Sequence, residues 1–364
     1  MTKGRALLWS PASAYAGGRF DGCSTRRRAI LELLQKEEQW DILHLKSRGG
    51  LYDGTANLLR LLYFLKAGEG LDKLLMFYPD FPLFHPPRQL KVPLVCMVLQ
   101  GVRTLLRKTK AKFYLDIVDL PRWQSKDLGY QLKMAPLPLK SMEKEILSLA
   151  DYVVLPSQSL AQLLLDEGLV AKEKVKILPN GLPRKDLESL NKKAAGKPSF
   201  FYAGDLSLER KRNIRSLVDS FVSESGAGQV LHLCGEGGQW LWEGDYPAKV
   251  RYHGHLAEEA CLELARSCDF GLIPYPEDDY YQWCFPSKLG LYLNAGLAVL
   301  SSELKETKRL IDQLQIGETK PIAQFSQFFR QSDDLLARYD KEEIKKRAAT
   351  WDWETMAREV FDLG

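Results

Sequence analysis

The residue placed to do chemistry is Lys288. Pro286-Ser287-Lys288 opens a short apolar helix that stops at Ala295-Gly296 and runs into the strand Leu297-Ala298-Val299-Leu300. Ser287 is the expected N-cap, and Gly296 the expected left-handed residue past the helix C-terminus. A lysine at the positive end of a helix is unfavourable by roughly 0.3–1 kcal/mol unless an anion shares the place. Lys288 and the open amides of the first turn therefore form a candidate anion-binding corner, with Tyr292 one turn along on the same side. The alternative is a surface lysine whose ammonium extends into water.

Two further positions are placed for chemistry. Asp119 lies in the loop Asp119-Leu120-Pro121-Arg122-Trp123, at the carboxyl end of the β-rich run from Lys112 to Val118. Ligands of open α/β sheets sit at this edge; the alternative is a turn cap before proline. Gly17-Gly18 lies between a first strand, Arg5 to Trp9, and a helix near Thr25 to Glu37. Strand, glycine loop and helix allow the backbone to approach a phosphate or sugar closely. Metal chemistry finds no support: the six cysteines are scattered without a CxxC pair and suggest reduced thiols packed as small hydrophobes. His253-Gly254-His255 would need ligands from elsewhere to hold a metal.

The elements that must position these residues alternate. Strands are expected at 40–45, 73–78, 112–118, 151–156 and 175–178, then at 199–203, 230–233, 250–253, 270–274 and 297–300. Helices are expected between them, including Asn57 to Lys66, Leu90 to Leu106, Ser141 to Leu149, a Ser157-capped helix to Glu167, Ile214 to Val222 and Glu258 to Arg266. Such alternation implies parallel sheets covered on both sides. A length of 364 residues suits two domains, and the polar interval Arg184 to Pro198 separates them. The expected division is a first domain over 1–182, a second over 183–340 and terminal helices over 341–364. Within the latter, Lys341 to Lys346 reads as a solvated charged face. A net charge of +4 argues against a dedicated nucleic-acid binder. No signal peptide or membrane span is visible, so a cytoplasmic location is expected. The basic run Arg103 to Lys112 could rest on anionic lipid as a peripheral contact, or be a solvated helix end.

Several of these pieces together resemble the GT-B glycosyltransferases. Phe201-Tyr202-Ala203-Gly204-Asp205-Leu206, Leu233-Cys234-Gly235-Glu236-Gly237 and Val250-Arg251-Tyr252-His253-Gly254-His255-Leu256 are similar to the first three strand–loop segments of their donor domain. Pro286-Ser287-Lys288-Leu289 with Tyr292-Leu293-Asn294-Ala295-Gly296-Leu297 is similar to their donor segment, Pro179-Asn180-Gly181 to an interdomain motif, and Trp351-Asp352-Trp353-Glu354 to the approach to the final helix. The resemblance implies an α/β fold of two Rossmann-like domains facing across a cleft, with the C-terminal helix crossing back to the first. It also implies hexosyl transfer from a nucleotide sugar, a UDP-sugar above all, to a hydroxyl of a glycan, glycoprotein or lipid-linked acceptor, without metal or other cofactor. By the same resemblance Ser287 and Lys288 would meet the diphosphate, and Tyr292 would line the nucleoside pocket. Gly204, Asp205 and Arg210 or Lys211 would face the phosphates, Tyr275 the base or sugar, and Gly17 and Gly18 would close over the sugar. Asp119 would be the base or acceptor-positioning group.

The pattern departs from the large retaining group, which carries two glutamates where this chain has Trp283 and Leu291. It is closer to the glucosyltransferase 3-like enzymes that extend O-linked glycans on bacterial serine-rich adhesins. Glu277, Asp278 and Asp279 could supply a replacement carboxylate. A second reading is a catalytically silent GT-B subunit that binds an acceptor or a partner enzyme, and a homo-oligomer is compatible with either.

Overall fold

The computed structural model describes residues 3–9, 22–37, 40–45, 71–78, 91–120, 136–180, 196–208 and 212–363. The chain divides into two compact units. One runs to Pro179 and regains Glu354–Gly364; the other holds Asn180–Trp353.

The first unit contains β1 (Lys3–Trp9), β2 (Trp40–Leu45), β3 (Leu71–Tyr78), β4 (Lys112–Ile117), β5 (Tyr152–Leu155) and β6 (Val175–Ile177) in one sheet of order β2-β1-β3-β4-β5-β6. Every pairing is parallel. Its described helices are Gly22–Lys36, Lys91–Thr109, Pro136–Leu149 and Gln158–Asp166. β4 is buried except for its first residue, as a central parallel strand covered on both faces must be. Ser157 caps the last of these helices as expected, accepting from the Leu160 amide at 3.0 Å. The expected helix from Asn57 to Lys66 lies outside the described residues.

An ion pair lies within this core. Arg26 and Asp116 are both fully buried, 2.6 Å apart, with Arg26 Nε also donating to the carboxylate at 3.1 Å. The same guanidinium donates to the carbonyls of Leu178 and Pro179, where the first unit ends. Both partners being fully hydrogen-bonded is the condition under which a buried ion pair is tolerated.

The second unit contains β7 (Ser199–Ala203), β8 (Val230–Cys234), β9 (Val250–Tyr252), β10 (Phe270–Ile273), β11 (Ala298–Ser302) and β12 (Gly317–Lys320) in the order β12-β11-β10-β7-β8-β9. Its pairings are again parallel. The three central strands β7, β10 and β11 are buried throughout. Phe200, Phe221, Phe270 and Phe329 form the aromatic centre, with ring centroids 5.1–5.7 Å apart.

The terminal segment differs from the expected 341–364 unit. Helix Lys341–Ala349 stays with the second unit: Lys341 Nζ donates to the carbonyls of Arg266 and Cys268 at the end of helix Glu258–Arg266, and Arg347 donates to the Gln315 carbonyl at 2.6 Å. Lys345 is buried as well, so this is not simply a solvated face. Free carbonyls at a helix end attract cations, which draws Lys341 inward. Only Glu354–Gly364 belongs to the first unit, where Lys73 donates to the Phe361 carbonyl at 2.9 Å and Tyr114 to Asp362 at 2.6 Å.

Candidate functional site

At the carboxyl edge of the second sheet, the loops after β7, β8 and β10 and the start of helix Lys288–Ala295 converge on one ammonium. Lys288 is buried, 6% exposed. Its Nζ lies 4.3 Å from the centre of the Tyr202 ring and 4.7 Å from that of Tyr275, and it donates to the Tyr275 hydroxyl. Arg212 brings a second cation, its guanidinium 5.9 Å from the Tyr275 ring centre and its Nε buried without a hydrogen-bond partner. Tyr281 stacks on Tyr275 with centroids 4.6 Å apart.

The electrostatics follow from two cations held among aromatic rings. Burial pushes the Lys288 ammonium below its ordinary pKa, helped by Arg212 and opposed by Tyr275. Burial pushes the Tyr275 phenol up, but Lys288 and Arg212 outweigh it and leave the phenol below its ordinary value. A buried ammonium whose bonded partner is a phenol rather than a carboxylate has its charge only partly compensated. Such a group favours an incoming anion.

Backbone shape makes room for the ammonium. Gly204 has φ +147°, and a Cβ there would stand 3.0 Å from Lys288 Nζ. Its amide donates to the Cys234 carbonyl at 2.9 Å. Gly235 has φ +140°, and a Cβ there would fall 1.7 Å from the Gly204 oxygen, so only glycine fits. Ser302 Oγ fixes the Tyr275 backbone by donating to its carbonyl at 2.6 Å.

The structure brings together Lys288, Tyr275 and Gly204 of the residues expected from sequence, and corrects others. Ser287 occupies the N-cap position but makes no capping bond, because its own backbone is already helical at φ −54°, ψ −29°. Its side chain is exposed. Gly296 is left-handed, as expected, at φ 69°. Tyr292 does not line a pocket: it is fully buried, its hydroxyl donates to the Leu272 carbonyl at 2.8 Å, and its ring fills the space above Gly271. Asp205 forms a turn, accepting from the Ser207 amide at 2.9 Å. Asp119 is half-buried just beyond β4, at the carboxyl edge of the first sheet. Gly17, Gly18, Arg210 and Lys211 lie outside the described residues.

Sequence reasoning missed Tyr202 and Arg212. Tyr202 read as an ordinary strand residue, although its alternation with Phe201 was visible; Arg212 was one of three adjacent basic residues with nothing to single it out. Leu291, where a glutamate was absent, is a buried apolar contact. Glu277 accepts from the Ile322 amide at 2.8 Å and so anchors a loop. His253 pairs with His232, ring nitrogens 3.0 Å apart. Among the described residues no group of three or more His, Cys, Asp or Glu could hold a metal ion.

No protein-family model matches the chain. No curated protein matches its sequence either. Solved structures do match. Sucrose-phosphate synthase from Thermosynechococcus elongatus is 15% identical with a TM-score of 0.71, covering 99% of this chain and 98% of that one. WaaG, a glycosyltransferase involved in lipopolysaccharide biosynthesis, is 12% identical with a TM-score of 0.63 over 99% of both chains. Anabaena Alr3699/HepE, in complex with UDP and glucose, is 12% identical with a TM-score of 0.60, covering 100% of this chain and 99% of that one. Over its whole length the chain is similar to these proteins and has their two-unit α/β fold, that of the GT-B glycosyltransferases.

Proposed function

We propose that this protein transfers a hexosyl group from a nucleotide sugar, a UDP-sugar in the first instance, to a hydroxyl of a glycan, glycoprotein or lipid-linked acceptor. The observation that carries this reading is the buried Lys288 ammonium, set over the Tyr202 ring and bonded to the Tyr275 hydroxyl at the carboxyl edge of a parallel sheet. Open α/β sheets bind ligands at that edge. Structural neighbours of the same fold include one solved with UDP and with UDP-glucose.

In the reaction, the acceptor oxygen bonds to the anomeric carbon, the bond from that carbon to the diphosphate oxygen breaks, and the nucleoside diphosphate departs with the electron pair. Lys288 and Arg212 stabilise the charge that develops on the departing oxygens, and the burial that depresses the Lys288 pKa makes that interaction stronger than it would be in water. Asp119 is the candidate to take the acceptor proton. This chemistry needs no divalent ion if the two cations suffice, so turnover should persist in a chelator.

A thermal-shift screen across UDP-, GDP-, ADP- and TDP-sugars, followed by donor hydrolysis, tests the reading. A bound donor raises the melting temperature by mass action. Absence of any shift and of any hydrolysis with every nucleotide sugar would refute it and support the catalytically silent subunit, which should neither bind nor turn over a donor.

A further inference from the structure

Cys234 ends β8, and Cys261 lies in the helix Glu258–Arg266 that packs beside it. Their Sγ atoms are 3.4 Å apart, both thiols are free, and they are 2% and 8% exposed. A disulfide is about 2.05 Å long, so closing the bond moves the sulfurs together by only roughly 1.4 Å. No other bonded thiol pair is found among the described residues; the Cys268 thiol donates to the Leu264 carbonyl at 3.3 Å instead.

This pair stands at the root of the loops that face Lys288. The Cys234 carbonyl accepts the Gly204 amide, and Gly235 follows with its amide bonded to the Gly254 carbonyl at 2.8 Å. Gly235 and Gly204 touch backbone to backbone, and Gly204 borders the Lys288 ammonium. With no side chain between these glycines to absorb a shift, a pull on Cys234 reaches the ammonium through rigid contacts.

We infer that Cys234 and Cys261 form a reversible intramolecular disulfide, and that its closure weakens anion binding at Lys288; the second part rests on the nucleotide-sugar reading. The oxidant is a peroxide, small enough to reach a nearly buried thiol. The Cys261 thiolate attacks one peroxide oxygen and hydroxide leaves, giving a sulfenic acid. The Cys234 sulfur then attacks the Cys261 sulfur, the S–O bond breaks, and water departs with the Cys234 proton. Two thiols and one hydrogen peroxide thus give one disulfide and two waters, and a dithiol reverses the bond by exchange. Cys261 is the better first nucleophile. It is the more exposed of the two, 8% against 2%, and the bond between the thiols holds it below the ordinary thiol value against the effect of burial, while the same bond and then burial push Cys234 up.

The test uses the full chain, reduced and then treated with hydrogen peroxide. Non-reducing peptide mapping should show a Cys234–Cys261 linked peptide that dithiothreitol removes and that Cys261→Ala lacks. Calorimetry with UDP should show the dissociation constant rising about fivefold or more on oxidation, with Cys261→Ala binding like the reduced protein and indifferent to peroxide. Failure to form the linked peptide overturns the inference, and a linked peptide with unchanged UDP affinity overturns its regulatory part. If the reduced protein does not bind UDP, the UDP-sugar reading fails and the regulatory part with it, while the peptide map still decides the bond.

Discussion

Replacing Lys288 by methionine keeps the length of the side chain and removes its charge. Charge-assisted hydrogen bonds contribute about 1.5–3 kcal/mol, which corresponds to a roughly 10- to 150-fold rise in the UDP dissociation constant. The upper end is expected, because Lys288 is buried and its partner within the protein is only a phenol. Stability should move the other way. The unliganded fold has to hold a desolvated ammonium, so Lys288→Met should be neutral or stabilising by about 1 kcal/mol. The pH dependence separates the two effects. Lys288 has a folded-state pKa below its ordinary 10.5, so between those two values the unfolded chain binds more protons and wild-type stability rises with pH. Below the depressed pKa the lysine is charged in both states and its burial penalty is fully present. The methionine variant should lack that rise. Wild-type UDP affinity should fall as pH climbs through the depressed pKa, and binding above it should take up a proton, read from calorimetry in buffers of different ionisation enthalpy. An unchanged UDP affinity in a folded Lys288→Met protein, or a large loss of stability with affinity intact, would refute the reasoning.

Three further outcomes are expected. Gly235→Ala places a methyl 1.7 Å from the Gly204 oxygen at φ +140° and should cost about 3 kcal/mol or more in urea unfolding; Gly254→Ala, at φ +70° with its nearest neighbour 3.7 Å away, should cost only about 1 kcal/mol. Equal costs would show that the close backbone approach is not what fixes Gly235. Tyr292→Phe should lose about 0.5–1.5 kcal/mol of stability, through its bond to the Leu272 carbonyl, and leave UDP affinity unchanged; a selective loss of affinity would return Tyr292 to the nucleotide site. Asp116→Asn strands the buried Arg26 guanidinium and should cost about 3–5 kcal/mol, most of it recovered in the double variant Arg26→Met/Asp116→Leu.

Much of the architecture was legible because parallel strands buried on both faces must be runs of apolar residues, and those runs are plain at 112–117, 199–203 and 270–273. Helix punctuation was equally local: Ser157 before 158–166 and Gly296 after 288–295 do what their side chains, or lack of one, dictate. Where local rules met longer contacts, they failed. Ser287 has the right side chain for a cap but the wrong backbone angles, and helix Lys341–Ala349 was drawn to the second unit by the carbonyls that end helix Glu258–Arg266.

The sequence by itself determined that Lys288 begins a helix after a buried strand, where its charge would either be shared with an anion or extend into water. Helical spacing is a property of neighbours in the chain, so it could say which residues lie along one side of that helix but not which way the side would face. Only the tertiary structure decided that Tyr292 turns into the core, that Tyr202 and Tyr275 enclose the ammonium instead, and that Arg212 joins it. Those residues come from separate strands and loops, and they meet because the sheet sets β7 and β10 side by side with their carboxyl ends at one edge.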